Sequence, residues 1–242
     1  MKSSHTFLAV LILAIGVAVA GWFVGDGFAR GRTTDRYVTV KGLSERDVEA
    51  DLALWPIRFV STDNSLAAAQ KNSEMSRVKI MEFLKRFGID AGQVELQELR
   101  VDDQMANPYR SGDTSSRYII TQVLMVRTTQ PQLIQSASQK VGDLVEAGVV
   151  LSSSGGYRDG PSYLFSGLTE LKPGMIAEAT ENARAAAQQF AKDSGSRLGK
   201  IMKANQGVFL ILPRDRAEGV MEESQPHKTV RVVTTVDYTL AD

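Results

Sequence analysis

Two histidines are the whole supply of imidazole in this chain: His5, ahead of an apolar run, and His227, in a charged stretch near the C-terminus. Imidazole titrates near neutrality and is the commonest metal ligand, so two in such different contexts make neither a proton relay nor a histidine metal cluster. Cysteine is absent, which removes disulfides, thiolate metal sites and a thiol nucleophile; this permits an oxidising compartment without requiring one. Gly195-Ser-Arg-Leu-Gly199-Lys200 resembles a phosphate loop on the surface. That loop needs four residues between its glycines where this one has three, and Ile201 stands where a magnesium-binding Ser or Thr belongs. A helix end capped by glycine is the better account. Ser152-Ser-Ser-Gly-Gly156 lacks the glycine spacing of a nucleophile elbow and reads as a hairpin turn. Asp102-Asp103 and Glu222-Glu223 are not followed by the alternating oxygen ligands of a calcium loop and read as solvated acidic loop tips. Trp55 and Phe59 read as core, not as an aromatic ligand platform.

No catalytic residue, no metal and no cofactor is nominated by these patterns, and a hydrolase built on serine and carboxylates alone has no residue set that closes a proton relay. What remains is two loops longer than a hairpin needs, over residues 102–117 and 213–228. Loops of that length more often carry contacts, so Met105, Pro108 and Tyr109 in the first are the candidate subunit or partner contacts. Formal net charge is zero, with 28 basic and 28 acidic residues, so no nucleic-acid surface is expected.

The elements that must position those loops alternate between strand and helix patterns. Residues 118–128, rich in β-branched side chains, read as a strand. Pro131 then opens a helix with Leu133, Ile134, Ala137, Val141, Leu144 and Val145 on one side, stopped by Gly148. Short strands at 149–151 and 162–168 follow. After Pro173-Gly174 a helix runs to about residue 198 with Ala179, Ala183, Ala187 and Phe190 inward, and it leads into a final strand. These elements predict an inserted βαββαβ subdomain over 118–207, ferredoxin-like, with two helices on one side of a sheet. Residues 37–117 and 208–242 then make the first, discontinuous subdomain, an antiparallel sheet plus helix. It comprises a strand from Tyr37, a turn over 42–48, a long strand over 50–61 interrupted by Pro56, which suggests a sheet edge or a bulge, a helix from Leu66 to Phe87 closed by Gly88, and a strand over 94–101. Its last strand alternates Val230, Val232, Thr234, Val236, Tyr238 and Leu240 against polar residues. The fold class is α+β, two two-layer α/β subdomains.

An apolar run over residues 7–25, opening on Phe7 and closing on Gly25, is about as long as the ~20 residues that cross a bilayer. Two readings of 1–25 stand side by side. Ala18-Val19-Ala20 fits a signal-peptide cleavage site, which would release a chain starting at Gly21. The run continues through Trp22, Phe23 and Val24, with Trp22 placed as an interfacial aromatic, which fits a retained N-terminal transmembrane helix. Arg30, Arg32 and Arg36, beyond the run in a linker over 26–36, weaken the charge argument for exporting the C-terminus; the run's position at the N-terminus favours export.

Tyr37-Val-Thr-Val-Lys-Gly42 with Ser44-Glu45, the strand from Tyr118 to Val126, Gly148, and the alanine-rich stretch from Ala177 to Ala191 followed by Gly195-x-x-Leu198-Gly199 together resemble the SIMPL-domain family of bacterial exported and envelope proteins. The resemblance covers residue 36 to the C-terminus and lies in the order of these features. It implies two small α/β subdomains, an export signal or anchor, a ring- or cage-like homo-oligomer as in some members, and a link to oxidative-stress tolerance without an established reaction. It brings no catalytic residues. The expected localisation is the bacterial inner membrane, single-pass, with the globular part in the periplasm, or the periplasm alone after cleavage following Ala20. The expected role is a non-enzymatic, self-associating envelope protein, with a periplasmic small-molecule or peptide binding module as the alternative.

Overall fold

The structure, a computed structural model, describes residues 2–31, 36–106, 116–152 and 160–241, with the side chains of the first helix described from 13 to 27. In chain order the elements are α1 (Lys2–Gly31), β1 (Tyr37–Glu49), β2 (Leu52–Asp63), α2 (Leu66–Arg86), β3 (Val94–Asp103), β4 (Tyr118–Thr128), α3 (Pro131–Ser138), α4 (Gly142–Glu146), β5 (Val150–Leu151), β6 (Ser162–Leu164), α5 (Leu168–Asp193), β7 (Arg197–Gln206), β8 (Leu210–Pro213) and β9 (His227–Ala241). The class is α+β with two antiparallel sheets. Contacts divide the chain into two compact units, one of Met1–Gly42, Ala179–Gln206 and Thr234–Asp242, the other of Leu43–Glu178 and Gly207–Val233. The cuts fall inside β1, α5 and β9, so these three elements run from one unit into the other.

The larger unit holds a sheet of order β3-β4-β2-β5, with β6 also pairing β2. Its element order, β2-α2-β3-β4-α3/α4-β5, is the β-α-β-β-α-β unit that the sequence reading placed over 118–207; it lies two strands earlier. The expected insertion is therefore corrected. β4 belongs to both frames, and the frame that wins joins the long strands. β4 pairs β2 from Ala53↔Thr128 to Asp63↔Tyr118 and pairs β3 from Val94↔Val126 to Asp103↔Tyr118. β5 and β6, of 2 and 3 residues, are too short to carry a sheet of their own. β7, which was to close the inserted unit, pairs β9 instead. One face of the sheet carries Ala53, Trp55, Ile57, Phe59, Leu124 and Val126 and buries them under Ile80, Phe83 and Leu84 of α2, Ile134 and Ala137 of α3 and Leu144 of α4. Each fully buried Phe, Ile or Leu here contributes about 1.5–3 kcal/mol.

Pro56 does not mark a sheet edge, since β2 lies inside the sheet; it sits at a local opening. β6 pairs Leu52–Leu54 and β5 pairs Phe59 and Val60, so among the described residues no strand covers the positions between them on that side. The carbonyl of Arg58 points that way, accepting from the Ser152 N–H at 3.0 Å. By the two-residue alternation the nitrogen of Pro56 faces the same side, where no donor is called for.

In the smaller unit β9 lies between β1 and β7. Ala183 and Ala187 of α5 pack on Val40, Val236 and Tyr238. The turn expected over 42–48 is absent: β1 continues to Glu49, with Val40, Gly42 and Ser44 buried on alternate positions. The polar residues Ser44, Glu45 and Asp47 mimic a turn, while their alternation is that of a strand. The helix expected after Pro131 is broken into α3 and α4, and α5 starts at Leu168, ahead of Pro173. Phe190, expected inward on α5, is exposed, and Met175 and Ala191 are buried in the inner row instead. Among the described residues no helix is long and apolar enough to cross a membrane.

Candidate interaction surface

The groups nominated for chemistry by residue type are held by other partners. Asp102 accepts from Arg100 at 2.9 Å, and Asp103 accepts from Arg117 Nε at 3.1 Å and Nη2 at 2.9 Å. Glu222 takes the ammonium of the fully buried Lys228 on its carboxylate, and its backbone carbonyl accepts from the same Nζ at 2.8 Å. His227 opens β9, half-buried, with Nδ1 at 3.6 Å from Glu49. Lys200 lies in β7, where its N–H donates to Thr239 Oγ1 at 3.0 Å; the stretch from Gly195 to Lys200 is a helix end followed by a strand, with no helix N-terminus beyond it to cradle a phosphate. Trp55 and Phe59 are core. Burial raises the Tyr163 phenol above its usual range, partly offset by its hydrogen bond with Ser138, so it stays protonated inside the core.

The base of the loop that carries the nominated contacts is clamped. Beyond β3 the Gln104 N–H donates to the Arg117 carbonyl at 2.8 Å and the Met105 N–H to Asp103 Oδ1 at 2.9 Å. The Arg117 N–H donates to Asn64 Oδ1 at 3.0 Å, and its guanidinium lies 4.8 Å from the centre of the Tyr118 ring. The Arg117 guanidinium, followed by the Met105 N–H, holds the Asp103 carboxyl below the usual carboxylate range. Met105 is 63% exposed at the mouth of this clamp. Pro108 and Tyr109 lie outside the described residues.

Sequence reasoning passed over the strand that leads there. β3 is an edge: among the described residues it pairs β4 alone. Leu96 and Leu99, each 49% exposed, and Val101, 45% exposed, stand opposite Leu124, Gln122 and Ile120, on the face that the helices cover further in. About half of each is open to solvent, so three large apolar side chains line a strand that among the described residues has no second neighbour. Natural edges are usually blunted, and an apolar one is a contact surface or a hazard. Glu98, on the other face, reaches back across β4 to Arg58 of β2 at 3.1 Å. The available signal was the spacing Val94, Leu96, Leu99, Val101, whose break in alternation at Gln97 is a bulge between Leu96 and Glu98.

A second apolar strip follows the outer side of α2, where Met75 and Val78 are exposed beside Ala67, Lys71 and Glu74 in a shallow groove. Arg77 pairs Glu74 and lowers its carboxyl below the usual range.

The family model SIMPL, described as a protein of unknown function (DUF541), matches residues 38–238. Among curated proteins none matches the chain.

Proposed function

The chain belongs to the SIMPL family, and from that premise we propose that it is a non-enzymatic envelope protein that assembles with copies of itself and supports tolerance of envelope or oxidative stress. The observation that carries self-association is the open edge of β3, with Leu96, Leu99 and Val101 about half exposed along it. In support of a passive body, the acidic pair Asp102-Asp103 at the end of this edge is engaged by Arg100 and Arg117 and not aimed at a shared reacting position. The apolar run over residues 7–25, of which 7–12 lie outside the residues with described side chains, anchors the protein in the bacterial inner membrane as a single pass, with the globular part in the periplasm. The intact mass of protein isolated from membranes separates this from release after Ala20: a chain beginning at Gly21 ends the anchor. The assembly is tested by light scattering on the full-length chain in detergent, corrected for bound detergent. A particle of several copies at micromolar concentration is expected, and a strict monomer rejects the proposal.

A periplasmic module for a small molecule or peptide is the second reading. The groove of α2 at Met75 and Val78 favours it, being apolar with charged groups at its rim. A monomer whose Tm rises with added ligand is the outcome that selects this reading.

A further inference from the structure

We infer that β3 pairs with β3 of a second copy of this chain, antiparallel about a two-fold axis that passes through its bulge. The inference rests on the proposed self-association and names its surface and register. A strand can pair with its own two-fold copy only where directly opposed residues share a face. In a regular strand Leu96 and Leu99, three apart, would lie on opposite faces. The bulge returns them to one. β4 meets Val94, Glu95, Leu96, Glu98, Leu99, Arg100 and Val101 at successive positions, leaving Gln97 as the extra residue.

Read about that bulge, the strand is its own complement. Val94 comes opposite Val101 of the copy, Leu96 opposite Leu99, and Glu95 opposite Arg100, each pair occurring twice. The apolar pairs fall on the face where Leu96, Leu99 and Val101 are exposed, and the Glu–Arg pairs fall on the other. Only Glu98 meets itself on the axis. There Arg58 of its own chain, 13% exposed, already holds the carboxylate at 3.1 Å, so the two acids approach as ion pairs and not as bare charges. A bulge on an edge strand bars casual partners. In this register the two bulges fall on either side of Glu98, related by the axis, an arrangement that a second copy reproduces and another strand does not.

The test is charge reversal on the full-length chain in detergent, read as the self-association constant. Glu95→Arg sets arginine against arginine, and Arg100→Glu sets glutamate against glutamate, at two places in each dimer. Each single variant is expected to weaken self-association at least about tenfold, and Glu95→Arg/Arg100→Glu together restore it to within about threefold. Circular dichroism of each variant separates lost pairing from lost folding, and rescue by the double variant cannot come from a misfolded chain. Self-association that ignores both single variants overturns this register and leaves the assembly reading standing. A monomeric wild-type chain overturns both.

Discussion

Gly42 in β1 lies against Ala179 in α5 so closely that a Cβ on Gly42 would fall within the Ala179 carbonyl oxygen, and it would stand 2.5 Å from the Ala183 nitrogen. Two features far apart in the sequence, a glycine after Tyr37-Val-Thr-Val-Lys and a row of helical alanines, are the two sides of one backbone contact. The colliding atoms are main chain and cannot rotate away. Gly42→Ala should therefore cost about 1–3 kcal/mol or more, read as a drop in the denaturant midpoint. Gly92→Ala, where a Cβ meets nothing within 4 Å, should stay within about 0.5 kcal/mol of wild type. Equal costs for the two would refute the contact.

A polar pair is buried inside the larger unit. Gln122 of β4 donates from Nε2 to Ser73 Oγ of α2 at 2.9 Å, both residues buried, and its Oε1 has no hydrogen-bond partner among the described residues. Ser73→Ala strands the amide donor as well and should destabilise by about 1–3 kcal/mol. Adding Gln122→Met removes the orphaned groups and should recover most of that loss. A double variant less stable than Ser73→Ala would contradict this reading.

The Asp103–Arg117 clamp should show in acid. The folded carboxyl of Asp103 sits below its unfolded value, so the clamp's contribution is complete above the unfolded pKa of about 3.9 and disappears as pH falls through the folded value. Both groups are solvent-exposed, so the effect is local opening and not global unfolding. A titration of the Asp103 carboxyl by NMR should give a midpoint under the ordinary Asp range, with the Met105 amide exchanging faster below it. Arg117→Gln should raise the midpoint toward that range. A wild-type midpoint at or above it would remove the clamp.

What could be read from the sequence was the alternation inside each element. β9 shows its buried face at Val230, Val232, Thr234, Val236 and Tyr238, and α2 shows Ala69, Ser73, Ile80 and Leu84, because one-sided burial leaves a period of two or of 3.6. Which strands share a sheet was not legible. The order strand, helix, strand, strand, helix, strand fits starting points at β2 and at β4, and the choice rests on ladder length, a long-range property. Pro56 was misread because a proline needs only a local absence of a neighbour, which two short strands flanking it supply. The edge of β3 was missed because its bulge breaks the alternation, and Met105 was found only through the length of the loop it opens.

The central claim, that this protein works through the edge of β3 and not through a reacting group, is tested most directly by hydrogen exchange of the full-length chain at two concentrations. The account expects the amides of 94–101 to be protected as concentration rises, while Val150 and Leu151 on the opposite edge of the same sheet exchange at an unchanged rate. Exchange along β3 that is independent of concentration across the micromolar range would contradict it.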